Sequence, residues 1–138
     1  MQILTKYIEL DADAESVIDI TGRVEEEIRR SNLEKGSVVI FVPGSTGIVS
    51  TIEYEPGALK DLDRALEIIA PSNIDYEHHK RWGDDNGRSH VRAAIMGPSL
   101  VVPFVDRALL LGRWQQIIFM NLDTSHRRRR VILQVMGE

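Results

Sequence analysis

The sequence predicts a single α+β domain, residues 1–138, in which a largely antiparallel β-sheet carries about three helices on one face. Runs rich in β-branched residues outnumber helical patterns by about two to one. Three of these runs follow one another at the end of the chain, and grouped strands favour α+β over a parallel α/β fold. A chain of 138 residues also fits one domain with a sizeable core.

The first half of the chain is predicted to form three strands and one helix. Residues 2–10 alternate between apolar and polar side chains, as in a strand. A helix is expected after an N-cap at Thr21, with a sparse apolar stripe, and to end at Lys35-Gly36. Residues 37–42 form an apolar run typical of a buried strand, and the strand pattern resumes over residues 48–54.

In the second half, Pro56-Gly57 begins a helix that Pro71 stops. Residues 72–85 are polar and irregular, and long loops of this kind are often functional. The pattern is helical again over residues 86–96. The remaining predicted strands are 100–105, 115–122 and 131–136, with a short apolar run at 109–111 between the first two.

Composition excludes several classes of protein. The chain has no cysteine, so disulfides, thiolate zinc fingers and a cysteine nucleophile are excluded. A net charge of −4 argues against a nucleic-acid partner. No apolar run reaches the roughly 20 residues that a membrane span needs, and the start does not resemble a signal peptide. We therefore expect a cytoplasmic protein with neither a nucleic-acid nor a membrane partner.

Three of the four histidines, His78, His79 and His90, lie in one polar segment with several carboxylates. Neutral imidazoles with nearby carboxylates can hold zinc or another divalent ion, and a histidine can instead serve as a general acid or base. The spacing matches no established zinc signature. A solvated loop with hydrogen-bonding histidines is the structural alternative.

Three further parts of the sequence offer polar groups. In Gly44-Ser45-Thr46-Gly47, two glycines and two hydroxyls suit an anion such as phosphate, although a plain turn fits the pattern as well. Glu53 lies near the end of a predicted strand and faces either a polar site or solvent. Trp114-Gln115-Gln116 joins an aromatic ring to two amides, of which one glutamine shares the face of the ring.

The run Arg127–Arg130 precedes the last predicted strand, so alternate arginines are expected to point to opposite sides. Guanidinium groups bind oxyanions well, which favours phosphate recognition. Solvated charges, or ion pairs with Glu25–Glu27 of a neighbouring copy, explain the run equally well. Without interleaved aromatic residues the run is poor evidence for nucleic-acid binding.

Several motifs in this order resemble the YjbQ family, also called the secondary thiamine-phosphate synthase family. The most specific are Asn86-Gly87-x-Ser89-His90 and Leu111-Gly112-x-Trp114-Gln115-Gln116-Ile117, and the resemblance runs from about Tyr7 to the end of the chain. It also includes Gly36–Val42, Ser45-Thr46, Glu53, Asp61, Tyr76-x-His78, Gly97-Pro98-Ser99 and Arg130–Gly137.

The resemblance implies a YjbQ-like α+β fold that assembles as a homotrimer with clefts between subunits. It also implies a weak thiamine-phosphate synthase activity, which joins a hydroxymethylpyrimidine diphosphate to a thiazole phosphate and releases pyrophosphate. Chemistry of this kind needs the diphosphate to be neutralised, commonly by a divalent metal such as zinc or magnesium together with basic side chains.

Under this first hypothesis, His78, His90 and Glu53 are the catalytic residues, and His78, His79 and His90 are the metal ligands. The residues expected to orient and neutralise a phosphate are Ser45, Thr46, Asn86, Gln115, Arg88 and Arg128. Many relatives have His-Thr-Thr at Gly44-Ser45-Thr46 and a histidine at Arg88, so two metal ligands are missing here. The second hypothesis is therefore a noncatalytic trimeric protein that binds a small phosphorylated metabolite or another anion.

Overall fold

The computed structural model describes residues 1–138 and contains eight strands and four helices. All strand pairings are antiparallel. The α+β prediction is therefore confirmed. In chain order the elements are β1 (Gln2–Ala12), β2 (Ser16–Asp19), α1 (Thr21–Ser31), β3 (Lys35–Phe41), β4 (Gly47–Ile52), α2 (Pro56–Ile69), α3 (Glu77–Trp82), α4 (Gly87–Met96), β5 (Ser99–Val105), β6 (Ala108–Leu109), β7 (Gln116–Asn121) and β8 (Arg127–Gly137).

The strands form two sheets rather than one. A five-stranded sheet has the order β1-β8-β3-β5-β6, and a three-stranded sheet has the order β2-β7-β4. The chain passes from the small sheet to the large one between β7 and β8, within residues 122–126. This crossing positions the candidate site described below.

Two hydrophobic cores hold the layers together. The larger core lies between the two sheets and includes Phe104 and Phe119, together with Val24 and Ile28 of α1. The smaller core covers the other face of the small sheet, where Ile118 packs with side chains of α2 and α4. Helices α2 and α4 thus lie on one face of the small sheet, as expected, whereas α1 belongs to the core between the sheets. No helix is both long enough and apolar enough to cross a membrane.

Several element boundaries differ from the prediction. Helix α1 begins at Thr21, with Ile20 at the N-cap position, and the Thr21 hydroxyl accepts a hydrogen bond from Ile117 N. The helix ends four residues earlier than Lys35 because Asn32 adopts a left-handed conformation with φ of 58°. The segment predicted to be irregular contains α3, and the arginine run lies inside β8 instead of before it. The short strands β2 and β6 were not predicted.

Candidate functional site

A polar cavity of about 370 Å³ opens where the small sheet meets the large one. Four chain segments supply its walls: the loop after β3, the start of α4 with the residues before it, the β7–β8 crossing, and β8 itself. We call it the Asp123 pocket. Its nine lining residues are Gly44, Ser45, Thr46, Asp84, Asn86, His90, Asp123, Arg127 and Arg129.

The crossing that carries Asp123 is held by a buried amide. Asn121 Nδ2 donates to the carbonyl oxygens of Ala12, Asp13 and Ser125 at 2.9–3.2 Å. Its Oδ1 accepts from Asp123 N and from Arg129 Nη2. Because one side chain fixes both ends of the crossing, Asp123 and Arg129 have a defined separation.

Asp123 is the central carboxylate of the pocket and is only 3% exposed. Its Oδ1 accepts hydrogen bonds from Ser125 N at 2.9 Å and Asn86 Nδ2 at 3.3 Å. Its Oδ2 accepts from Thr46 Oγ1 at 3.1 Å and lies 3.3 Å from Arg127 Nε. Burial opposes ionisation of Asp123, but these hydrogen bonds and the charge of Arg127 together lower the pKa of the carboxyl below its usual value. Asp123 is therefore ionised at neutral pH.

Arg129 lies beneath the loop that follows β3. Its Nη2 donates to Thr46 Oγ1 at 2.6 Å and to Asn121 Oδ1 at 2.9 Å, while its Nε is buried without a partner. Burial lowers the pKa of the Arg129 guanidinium, an effect that the charge of Asp123 partly offsets. Its Nη1 makes no hydrogen bond within the chain and lies 3.3 Å from the point that a Cβ on Gly44 would occupy. The glycine thus keeps the space next to this donor open.

The start of α4 is fastened to the same network. Asn86 Oδ1 accepts hydrogen bonds from Ser89 Oγ, Thr124 N and Thr124 Oγ1 at 3.0–3.1 Å. Since Asn86 Nδ2 also donates to Asp123, this amide ties α4 to the β7–β8 crossing. One helical turn later, His90 faces the pocket.

The structure brings His78 and His90 together, with ring centroids 4.6 Å apart. His78 does not line the pocket, but Asp84, which does, lies with Oδ1 3.0 Å from His78 Nδ1. His79 instead directs Nδ1 at the backbone oxygen of Asp84. One histidine of the predicted cluster therefore faces the cavity, and the ring of a second lies next to it, tilted by 46°.

The three predicted metal ligands, His78, His79 and His90, do not fit a metal site. No three side chains of the histidine, aspartate and glutamate type are grouped as a metal ion would require. The nitrogen Nδ1 of His79 is taken up by a backbone oxygen, and Gly44 offers no ligand. We therefore derive no chemistry through zinc or magnesium.

Arg88, expected to neutralise a phosphate, lies outside the pocket. Its side chain is 10% exposed, with Nη1 2.9 Å from Asp85 Oδ2 and Nη2 2.8 Å from Glu15 Oε1. Burial opposes the charged form, but the hydrogen bonds to Asp85 and Glu15 raise the pKa of Arg88 overall. This arginine holds α4 against the start of β2.

Glu53 and Gln115 also lie away from the pocket. Glu53 lines a separate cavity together with Trp114 and Arg113. Gln115 Oε1 accepts from Gly112 N, and its Nε2 donates to Thr51 Oγ1. Within one chain, neither side chain lines the Asp123 pocket, which His90 faces.

The arginine run divides between the two faces of the large sheet, as its alternation predicted. Arg127 and Arg129 line the Asp123 pocket, whereas Arg128 faces a cavity beside Glu9 and Asp11. Among predicted site residues, the pocket contains Ser45, Thr46, Asn86 and His90 but not Arg128. Asp84 and Asp123 were not predicted as site residues, and of the arginine run, which was expected to recognise an anion, only Arg128 was singled out. The two arginines of the pocket could have been identified only from the pairing of β8.

Comparisons with known proteins agree with this architecture. The model of the family described as UPF0047 protein YjbQ-like matches residues 6–138. A UPF0047 protein of Methanothermobacter thermautotrophicus is 32% identical over 139 residues, covering 100% of this chain and 95% of the relative. A UPF0047 protein of Mycobacterium tuberculosis is 31% identical over 130 residues, covering 94% and 95% of the two chains.

Solved structures show the same fold. A protein of unknown function from Sulfolobus solfataricus superposes with a TM-score of 0.88 at 25% identity, over 99% of this chain and 100% of the other. A YjbQ/UPF0047 protein from Clostridium acetobutylicum gives 0.85 at 27% identity, over 95% and 99%. With a family model that spans nearly the whole sequence, the chain belongs to the YjbQ-like UPF0047 family.

Proposed function

We propose that this protein binds a small phosphorylated metabolite, or another small oxyanion, in the Asp123 pocket without needing a metal. The observation that carries the proposal is the free Nη1 of Arg129, a donor on a mostly buried guanidinium beside the open Gly44. Burying a guanidinium is costly unless its donors find acceptors. A bound oxyanion would supply the missing acceptor.

The charges in the pocket support an anionic ligand. Both oxygens of Asp123 already accept hydrogen bonds, from Ser125, Asn86 and Thr46, and this carboxylate neutralises part of the charge of the two arginines. Arg127 contacts Asp123 only through Nε, which leaves its two terminal nitrogens for a ligand. Two guanidinium groups that converge on one space are a strong binding arrangement for an oxyanion.

The neighbouring groups suit the remaining oxygens of a phosphate. The Ser45 hydroxyl lines the cavity from the loop side, and His90 lines it from α4. A second cavity, of about 240 Å³, shares Gly44, Ser45 and His90 and is bounded by Ala93, Ala94 and Pro98. The organic part of a phosphorylated ligand would occupy this less polar space.

The decisive experiment measures inorganic phosphate, pyrophosphate and a phosphate monoester by calorimetry, with matched sodium chloride as the ionic-strength control. Arg127→Ala should weaken phosphate binding about tenfold, the loss expected for one charge-assisted hydrogen bond. Arg128→Ala is the matched control, since it removes the same charge from the opposite face of β8. If the three anions fail to bind, or both variants bind phosphate equally, the proposal is wrong.

The thiamine-phosphate synthase activity that the resemblance implies is a second candidate, favoured by the close approach of His78 and His90, whose ring centroids are 4.6 Å apart. In that reaction a carbon–nitrogen bond forms between the two rings as the carbon–oxygen bond to pyrophosphate breaks. His90 would donate a proton to the departing pyrophosphate. Incubating the protein with both substrates and measuring product by mass spectrometry tests this. Activity that His90→Asn does not reduce, or no activity at all, would contradict the assignment.

We also propose that the protein assembles as a homotrimer, as the resemblance implies. The outer face of the large sheet supports self-association because it exposes Ile3, Tyr7 and Val101, which the strand register places on one side. A neighbouring subunit could then bring Glu53 or Gln115 towards the pocket. Light scattering after size-exclusion chromatography should give three times the chain mass of 15.6 kDa, and a monomer would contradict the proposal.

A further inference from the structure

A separate cavity, of about 320 Å³, lies between α2, the small sheet and α4. It shares no lining residue with the Asp123 pocket. Its floor is apolar and includes Leu66, Met120 and Leu122, and charged side chains surround its mouth. Small-molecule sites in proteins occupy about 300–1,000 Å³ and combine apolar walls with a few polar groups, as this cavity does. We call it the Leu66 cavity.

Arg92 provides a built polar group at this cavity. Its side chain is only 5% exposed, and its Nε and Nη2 both donate to Ala70 O, at 3.0 and 2.8 Å. Nη2 also binds Glu67 Oε1 at 2.7 Å. Nη1 makes no hydrogen bond within the chain, although the residue lines the cavity. A rigidly held, buried guanidinium thus retains a donor for a ligand acceptor.

Among the charged side chains at the mouth of the cavity, one cation and one anion have no ion-pair partner in the chain. Glu15 is paired with Arg88, and Arg92 is paired with Glu67. Lys60 and Asp63 line the cavity without an ion-pair partner in the chain. They lie three residues apart on α2, which places them on neighbouring positions of one helix face.

From these observations we infer that the Leu66 cavity binds a free apolar α-amino acid, of the size of valine or leucine. The carboxylate binds Arg92 Nη1 and Lys60, the ammonium group binds Asp63, and the aliphatic side chain rests on Leu66 and Met120. A zwitterion matches a mouth with one free cation and one free anion, whereas a plain anion or cation leaves one of them unpaired. The inference is independent of the proposed anion pocket.

Calorimetry with leucine, 4-methylpentanoate and isopentylamine tests the inference directly, because the last two ligands keep the leucine side chain and each carry one half of the zwitterion. Leucine should bind with one site per chain and at least about tenfold more tightly than either half-ligand, the gain expected from one charged hydrogen bond. No binding of leucine or valine at millimolar concentration would overturn the inference. Equal binding of 4-methylpentanoate would overturn it as well, since the ammonium group would then contribute nothing.

Variants on the exposed surface of α2 locate the site without disturbing the core. Lys60→Ala and Asp63→Asn should each weaken leucine binding about tenfold. Arg64→Ala is the matched control, because it removes an exposed charge of the same helix that pairs with Asp61 and does not line the cavity. Arg127→Ala should leave leucine binding unchanged, which separates this site from the anion pocket. If Lys60→Ala binds leucine as well as Arg64→Ala does, the assignment is wrong.

Discussion

Thr46 and Asp123 are joined by a buried hydrogen bond, in which the Thr46 hydroxyl donates to Asp123 Oδ2 over 3.1 Å. The two residues are 77 positions apart in the chain. The same hydroxyl accepts from Arg129, so one oxygen connects the loop after β3 to Asp123 of the β7–β8 crossing and to Arg129 of β8. The shape of the Asp123 pocket therefore depends on this contact as well as on the charges.

Thr46→Val should destabilise the protein because valine has a similar shape but cannot hydrogen-bond. Asp123 loses a donor and Arg129 loses an acceptor, both in buried surroundings, and each loss of this type costs about 1–3 kcal/mol. Urea unfolding measures the change in the free energy of unfolding. Ser45→Ala is the control, because Ser45 is exposed and its replacement should cost less than about 0.5 kcal/mol. Equal effects of the two variants would contradict the role given to Thr46.

Asp123 should make stability depend on pH in the acid range. The pKa of its carboxyl is lower in the folded protein than in the unfolded chain. The ionised group therefore adds stability above its unfolded pKa, near 3.8, and this contribution disappears as the pH falls through the lower folded pKa. Asp123→Asn should be less stable than the wild type at pH 7, and the difference should shrink as the pH falls below about 3.8. Thermal unfolding at a series of pH values measures this. A constant difference across the range would contradict the assignment.

The parts of the fold governed by local pattern were predictable from the sequence. Helix α2 begins at Pro56 and carries its leucines at helical spacing, and β3 contains a run of β-branched residues. Strand β2 was missed because four residues carry too little periodicity, and α3 was missed because its six residues include none that are buried. Such short elements are stabilised by their neighbours rather than by their own pattern.

The candidate site was predictable only in part because its charges come from separate segments. The alternation of the arginine run is predictable from the sequence, but it does not say which face of the strand has a cavity. Arg127 and Arg129 line the Asp123 pocket, whereas the predicted Arg128 faces the opposite side of β8. Asp123 stands alone in the sequence and becomes central only when the crossing meets Thr46. Arg88 lies inside a specific motif, yet its guanidinium points at Glu15, 73 residues away.

Arg88→Met should separate a structural arginine from the ligand-binding ones. The long apolar side chain keeps the packing but removes the ion pairs with Glu15 and Asp85, which are themselves partly solvated. We expect the free energy of unfolding to fall by about 1–2 kcal/mol while phosphate affinity stays at the wild-type value. Arg127→Ala should instead weaken phosphate binding about tenfold, because Arg127 lines the Asp123 pocket. If Arg88→Met stays folded but binds phosphate about tenfold more weakly, Arg88 belongs to the site after all.

Gly87 lies where α4 begins, and Tyr76 packs directly against it. A Cβ at Gly87 would lie 2.4 Å from Tyr76 Cβ and 2.7 Å from its Cγ, closer than the packing allows. Gly87→Ala should therefore cost about 1–3 kcal/mol of unfolding free energy through overpacking. Because the shift would displace the neighbouring Asn86, it should also weaken phosphate binding. Urea unfolding and calorimetry measure the two effects.

Gly22→Ala provides the matched control for the glycine substitution. Gly22 lies in the first turn of α1, and a Cβ there has no atom within 4 Å, so alanine should stabilise the protein by about 0.5 kcal/mol. The steric origin is tested further by combining Gly87→Ala with Tyr76→Gly, which removes the Cβ that clashes. The double variant should lose less stability than the sum of the two single losses. Strict additivity would show that crowding against Tyr76 is not the cause, because two residues that collide must be coupled.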